Sequence, residues 1–194
     1  EAFVGFKRIQ WLDCLDAPSE AAPWLCNING RNVFLQGVNW TPIRPNFADV
    51  TYEQYRKRLE LYKSIGINTL RVWGGYTREK SCFYDICDEL GLLVWQDMPL
   101  SSSGIENYPP DDEQMVGRYL EVVRAYVSLL HHHSCILLWS GGNELTAAGG
   151  KPLGYEHPMF GAAKELIGGI DFAHRFVPTT PWGPCFTAAA ENFG

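Results

Sequence analysis

Short apolar runs of strand length and helix-length amphipathic segments take strict turns along this chain, and that alternation constrains its fold more than any other feature. Residues 33–38 (VFLQGV), 67–72 (INTLRV), 92–96 (LLVWQ), 135–140 (CILLWS) and 176–180 (FVPTT) are apolar, β-branched or aromatic. Continuous runs of this kind suit strands covered on both faces. Thr51 to Ile65 reads as a helix that opens with a Thr51/Gln54 capping box, carries Tyr55, Leu59, Tyr62 and Ile65 on one stripe, and stops at Gly66. A second helix over 79–90 turns Phe83, Ile86, Cys87 and Leu90 inward and ends at Gly91. A third, over 111–131, starts on Asp111, Asp112 and Glu113 and runs Val116, Leu120, Val123, Val127, Leu130 along one face. The pattern over 159–173 is weaker, because Gly161, Gly168 and Gly169 interrupt it.

Strand alternating with helix implies right-handed βαβ units and a parallel sheet, either open and doubly wound or part of a (β/α)8 barrel. Polar residues decide between them. Asn39 and Trp40, Arg71 and Trp73, Gln96 and Asp97, and Asn143 and Glu144 follow the carboxyl ends of successive strands. Barrel enzymes assemble their sites there from several strands at once, whereas open sheets gather ligand residues at one switch point. No G-x-G-x-x-G or Walker pattern follows any run. The fold class expected is α/β, a partial (β/α)8 barrel comprising about the first five β/α units, since a whole barrel needs roughly eight strands and 250 residues. The segment VGFKRIQW (4–11) is strand-like and precedes the loop-like LDAPSEAAP. Residues 1–28 are therefore expected to close a preceding domain, with the barrel running over 29–194.

Composition excludes several classes. With 46% hydrophobic residues the chain can bury a core, and no apolar run reaches the roughly 18–20 residues of a membrane span. A formal charge of −6, with the 16 Lys and Arg scattered, leaves no basic stripe for a phosphate backbone. Neither nucleic acid nor membrane is expected as a partner. Cys14, Cys26, Cys82, Cys87, Cys135 and Cys185 are too dispersed for a zinc pattern, and most lie among apolar neighbours as buried thiols would. A Cys82–Cys87 disulfide is not expected on a helix. The run His131-His132-His133 ends a long helix, where consecutive side chains diverge and histidine suits the dipole, so it reads as structural rather than metal-binding.

LLWSGGNE (137–144) carries the most chemistry: a buried strand, two glycines that permit a sharp bend, then Asn143 and Glu144 at the open end. Glycoside hydrolysis needs a carboxyl group that protonates the leaving oxygen and a second that attacks or activates water. Glu144 fits the first role, and a capping or ion-paired carboxylate is the plainer alternative. Trp40, Trp73, Trp95, Trp139 and Trp182 fall in or just after the runs, suited either to stacking on sugar rings or to filling the core. Arg71 and Asp97 are placed to form a buried pair or a rim salt bridge. No G-x-S-x-G elbow supports a serine nucleophile, and Ser101 to Gly104 reads as a flexible loop bordering the cleft.

At NGRNVFLQGVNWTP (29–42), INTLRVWGG (67–75), FYDICDELGLLVWQDM (83–98), HHHSCILLWSGGNE (131–144) and FVPTTPWGP (176–184) the chain resembles the catalytic domain of family-two glycoside hydrolases, most closely the β-mannosidase-like branch. The resemblance implies a retaining, exo-acting enzyme on terminal β-glycosides, β-mannosides first, that needs no metal or organic cofactor. It implies that Glu144 is the general acid/base and that Asn143 contacts the sugar 2-hydroxyl. Arg71, Trp73, Asp97, Asn39, Trp40 and Trp95 would line the terminal-sugar subsite. The nucleophile would be a glutamate on a later strand, outside these residues, and residues 4–11 the tail of an immunoglobulin-like domain. The expected partners are thus an oligosaccharide or glycoside substrate and the remaining domains of a longer polypeptide. Tyr76 stands where related β-mannosidases usually carry a third glycine, and the loop of WQDMPLSSS also departs from the usual pattern. These departures bear on the sugar and the leaving group. A β-galactosidase, β-glucuronidase or β-glucosaminidase type, and a non-catalytic carbohydrate-binding or inactive barrel fragment, are the alternatives.

Overall fold

The structure, a computed structural model, describes residues 4–102 and 107–183 of the 194. Strand β1 (Ile9–Leu12) pairs antiparallel with β2 (Leu25–Ile28), which pairs with β3 (Arg31–Asn32). A parallel five-stranded sheet follows in chain order: β4 (Gly37–Trp40), β5 (Thr69–Val72), β6 (Leu93–Asp97), β7 (Ile136–Ser140) and β8 (Arg175–Val177). Helices α1 (Tyr52–Ser64), α2 (Ser81–Leu90), α3 (Glu113–Leu130) and α4 (Pro158–Ile170) connect them. This succession is that of a partial α/β barrel, as the alternation predicts.

Local chemistry explains the helix limits. Thr51 accepts from Gln54 N while the Gln54 side chain accepts from Thr51 N, so the capping box forms and α1 begins one residue later. Gly91 ends α2 in the left-handed conformation at φ 69°, and Asp112 caps α3 by accepting from Met115 N at 3.0 Å. Tyr55 and Leu59 are buried as expected, but Ile65 is exposed, one residue past the end of α1.

Side chains of alternate parity separate the sheet's two faces, except in β7, where a register shift against β6 puts Leu137 and Leu138 on the same face. Trp40, Leu70, Val72, Val94, Ile136, Trp139 and Phe176 belong to the core shared with the helices. Leu93, Trp95, Leu138 and Val177 pack instead with Ile9, Trp11, Trp24, Cys26 and Ile28 of the antiparallel sheet. The expected boundary at residue 28 therefore falls in the turn between β2 and β3, whose pairing makes residues 25–32 one hairpin.

The first strand also differs from the expected 33–38. Residues 33–36 form no strand, and the Asn68 side chain takes two of their backbone groups, donating to Phe34 O at 2.8 Å and accepting from Gln36 N at 2.9 Å. Regular pairing starts at Gly37. At the opposite end of the sheet from the polar cluster, His133 Nδ1 lies 2.7 Å from Asp88 Oδ2, while Asp88 Oδ1 accepts from Ser134 Oγ and Cys135 N. Asp88, His133 and Cys135 could face one ion, but both carboxylate oxygens are already taken, so the group ties α2 to the start of β7. Cys26, Cys87 and Cys135 are buried free thiols, Cys82 is half-buried and Cys14 exposed; Cys185 lies outside the described residues. Among the described residues no helix is long and apolar enough to cross a membrane.

Candidate functional site

Parallel register fixes what meets at the carboxyl end of the sheet. Asn39 pairs with Arg71 and Arg71 with Trp95, so these side chains start from one level on the inner face, and Asp97 stands two residues above Trp95. Arg71 reaches up to it. Its Nη2 lies 2.6 Å from Asp97 Oδ2 and 2.7 Å from Asn143 Oδ1, its Nη1 donates to Asn39 Oδ1 at 3.1 Å, and its Nε to Asp97 Oδ1 at 3.4 Å. The guanidinium thus holds residues of β4, β6 and the loop after β7 in a planar fork.

Asp97 is wholly buried, and two further donors face it: Gly74 N at 3.1 Å and Thr180 Oγ1 at 3.2 Å. Burial pushes its carboxyl up from 3.8 to about 6, against the pull of the Arg71 charge and these donors. At neutral pH it is ionised and the pair with Arg71 is an ion pair.

Beyond the strands, the loops continue the ladder. Ser101 bridges Asn143 and Asn143 bridges Thr180 in parallel fashion. Asn143 N donates to Leu100 O, Ser102 N to Asn143 O, Thr180 N to Gly142 O and Glu144 N to Thr180 O, all at 2.8–3.0 Å. Such close approach requires glycine in LLWSGGNE. A Cβ on Gly141 would lie 2.3 Å from Pro178 O, and one on Gly142 2.5 Å from Leu100 O. Gly142→Ala is expected to lower the melting temperature of the barrel, by about 1–3 kcal/mol of stability, and to reduce turnover with it; an unchanged melting temperature would show that the loops are not packed this closely.

Glu144 sits at the end of this bend with φ 55°, a left-handed conformation unusual for a residue with a side chain. Its carboxyl group is exposed, and Oε2 accepts from Ser102 Oγ at 3.2 Å. Asn143 beside it is buried, its Nδ2 donating to Ser101 Oγ at 3.1 Å. An exposed carboxyl group on a strained bend, next to a half-buried cation and a buried amide, is suited to proton transfer to a bound oxygen.

The expected residues divide. Glu144, Asn143, Arg71, Asp97 and Asn39 come together, and Trp73 is half-buried after β5 with its indole against Gly75, where a Cβ would fall 1.9 Å from the ring. Two tryptophans lie apart from this cluster. Trp40 points to the helix side, 3% exposed, packed on Phe83 and Tyr55, with Nε1 donating to buried Glu79 at 2.8 Å. Trp95 shares the inner face but stacks on Trp24 at 6.1 Å, in a cluster with Trp11 and Trp182 that faces the antiparallel sheet. Trp139 is core as well, its Nε1 bonded to Asp171 Oδ2. Sequence reasoning missed Ser101, Ser102 and Thr180, of which the serines fall in the segment read as a loop bordering the cleft; residues 103–106 lie outside the described residues.

Residues 24–166 match the family model described as glycosyl hydrolases family 2, TIM barrel domain. The chain belongs to that family. It is 37% identical over 151 residues to a β-mannosidase of Capra hircus, covering 76% of this chain and 16% of the relative. It is 40% identical over 117 residues to β-mannosidase B of Aspergillus fumigatus, covering 60% of this chain and 13% of the relative. The family-two chain thus spans about a sixth of the length of such curated relatives. Among solved structures, the β-D-mannosidase of Dictyoglomus thermophilum superposes with a TM-score of 0.77 at 28% identity, covering 93% of this chain and 22% of that one. β-Glucuronidase 3 of Bacteroides uniformis reaches 0.69 at 21% identity, covering 89% and 21%, a likeness of fold alone.

Proposed function

We propose that the protein carrying this chain hydrolyses terminal β-glycosides, β-mannosides foremost, with retention of configuration. The observation that carries the reading is Glu144, exposed at the carboxyl end of β7 beside the network in which half-buried Arg71 joins buried Asp97 and Asn143. The β-mannosidase relatives support the choice of sugar. In this reading Glu144 protonates the departing glycosidic oxygen while a second carboxylate, on a later strand, attacks the anomeric carbon. Glu144 then takes a proton from water, which displaces the enzyme carboxylate and restores the β configuration. Asn143 and Asn39, oriented by Arg71, present amide groups to sugar hydroxyls, and Trp73 borders the subsite. Preceding domains, an immunoglobulin-like one among them, and the later strands of the barrel would complete the polypeptide.

The test is a panel of nitrophenyl β-mannoside, β-glucoside, β-galactoside and β-glucuronide offered to the intact protein, with the first product followed by NMR. Fastest turnover of the β-mannoside with β-mannose as the initial product is expected. Inversion, or no turnover on any member, would sink the reading; preference for another sugar would keep the reaction and change the specificity.

A further inference from the structure

We infer that Ser102 is a positioning residue for the acid/base carboxyl group, with Ser101 doing the same for Asn143; the inference rests on the reading of Glu144 above. The two serines are consecutive in the loop after β6, and each hydroxyl meets one of two consecutive residues after β7. Ser101 Oγ accepts from Asn143 Nδ2 at 3.1 Å, and Ser102 Oγ donates to Glu144 Oε2 at 3.2 Å. The backbone brings each pair within reach. Ser102 N donates to Asn143 O and Asn143 N to Leu100 O, so the two loops are zipped in register just where the hydroxyls emerge.

A general acid must point its proton at one lone pair of the departing oxygen, and an exposed carboxyl group is otherwise free to rotate about its terminal bond. Glu144 has its backbone fixed by the bond from its N to Thr180 O, yet its side chain is exposed. The Ser102 hydroxyl supplies the restraint that the fold lacks there. It ties down Oε2, so that Oε1 is the oxygen presented for proton transfer. Ser101 acts on the other side of the peptide, holding the Asn143 amide so that its Oδ1 meets Arg71.

Leaving-group dependence tests this. Protonation of the departing oxygen matters for a poor leaving group and hardly at all for an activated phenol, so loss of acid positioning is selective. In the intact protein, Ser102→Ala is expected to lower kcat/KM on an alkyl β-mannoside or a mannobiose by about tenfold, and to leave kcat/KM on 2,4-dinitrophenyl β-mannoside near the parent value. Ser102→Thr, which keeps the hydroxyl, should restore most of the loss. Equal losses on both substrates would mean general damage and overturn the inference, as would a Ser102→Ala variant that matches the parent on the poor leaving group. Glu144→Ala run alongside separates the two failures. If it is impaired on poor leaving groups while Ser102→Ala is not, the positioning role alone falls. If Glu144→Ala also equals the parent, the acid/base assignment falls and takes the positioning role with it.

Discussion

Replacing Glu144 by alanine in the intact protein should reduce kcat/KM on β-glycosides with poor leaving groups by about 10²–10⁴, the usual contribution of a general acid. Azide should restore turnover on activated substrates and yield the β-glycosyl azide, because azide attacks the glycosyl-enzyme without needing a base. Hydrolysis at the parent rate, or an azide product of the opposite configuration, would remove Glu144 from the role. The backbone at Glu144 adds a second readout. Its φ of 55° carries a steric cost of about 1–2 kcal/mol for a residue with a Cβ. Glycine there relieves that cost, against about 0.5–1 kcal/mol of added chain entropy in the unfolded state. Glu144→Gly should therefore be as inactive as the alanine variant without melting earlier. A functional residue kept in an unfavourable backbone state gives that combination; a residue retained for stability gives the reverse.

Arg71→Met is expected to destabilise the barrel by about 3–5 kcal/mol near pH 8, because it strips a wholly buried carboxylate of its counter-ion. Asp97 already titrates at about 6 with the arginine present, above the 3.8 of an exposed group. The unfolded chain gives up this proton first on raising the pH, so the native form binds more protons between about pH 4 and 6, and this group's contribution to stability falls across that window. Without Arg71 the carboxyl group holds its proton to higher pH still. The penalty of Arg71→Met should thus shrink markedly at pH 5, where Asp97 is neutral in the variant. Adding Asp97→Leu should recover much of the stability at pH 8 but none of the turnover. Thermal unfolding at the two pH values checks both; a loss that does not depend on pH would mean that the arginine acts through packing and not through charge.

Much of this was legible in the sequence, for a stated physical reason. A parallel sheet gathers the ends of successive strands along one edge, so the polar residues closing each apolar run converge there, and Asn39, Arg71, Asp97 and Asn143 do. Trp40 and Trp95 lie apart from that cluster for two different reasons. Trp40 follows Asn39 by one residue, and side chains one apart on a strand point to opposite faces, so counting by twos from Arg71 along the register would have sent it to the helices. Trp95 has the right parity, but its environment is set by Trp24, which is distant in sequence and approaches because the paired β1 and β2 pack on the inner face. Ser101 and Ser102 carry no periodic signal at all. Their role comes from a bridge between loops, which neither hydrophobic spacing nor turn propensity encodes.

The ladder running from Ser101 through Asn143 to Thr180 has a wider implication. Binding loops on a rigid scaffold usually vary independently, each replaceable without regard to its neighbours. Here the segments after β6, β7 and β8 share backbone bonds, and Thr180 also reaches Asp97 and Ser140. A shift in one is transmitted to the others, so substitutions among Ser101, Asn143 and Thr180 should not add as separate effects. New specificity on this scaffold would have to be sought by exchanging all three segments together, as one interlocked rim.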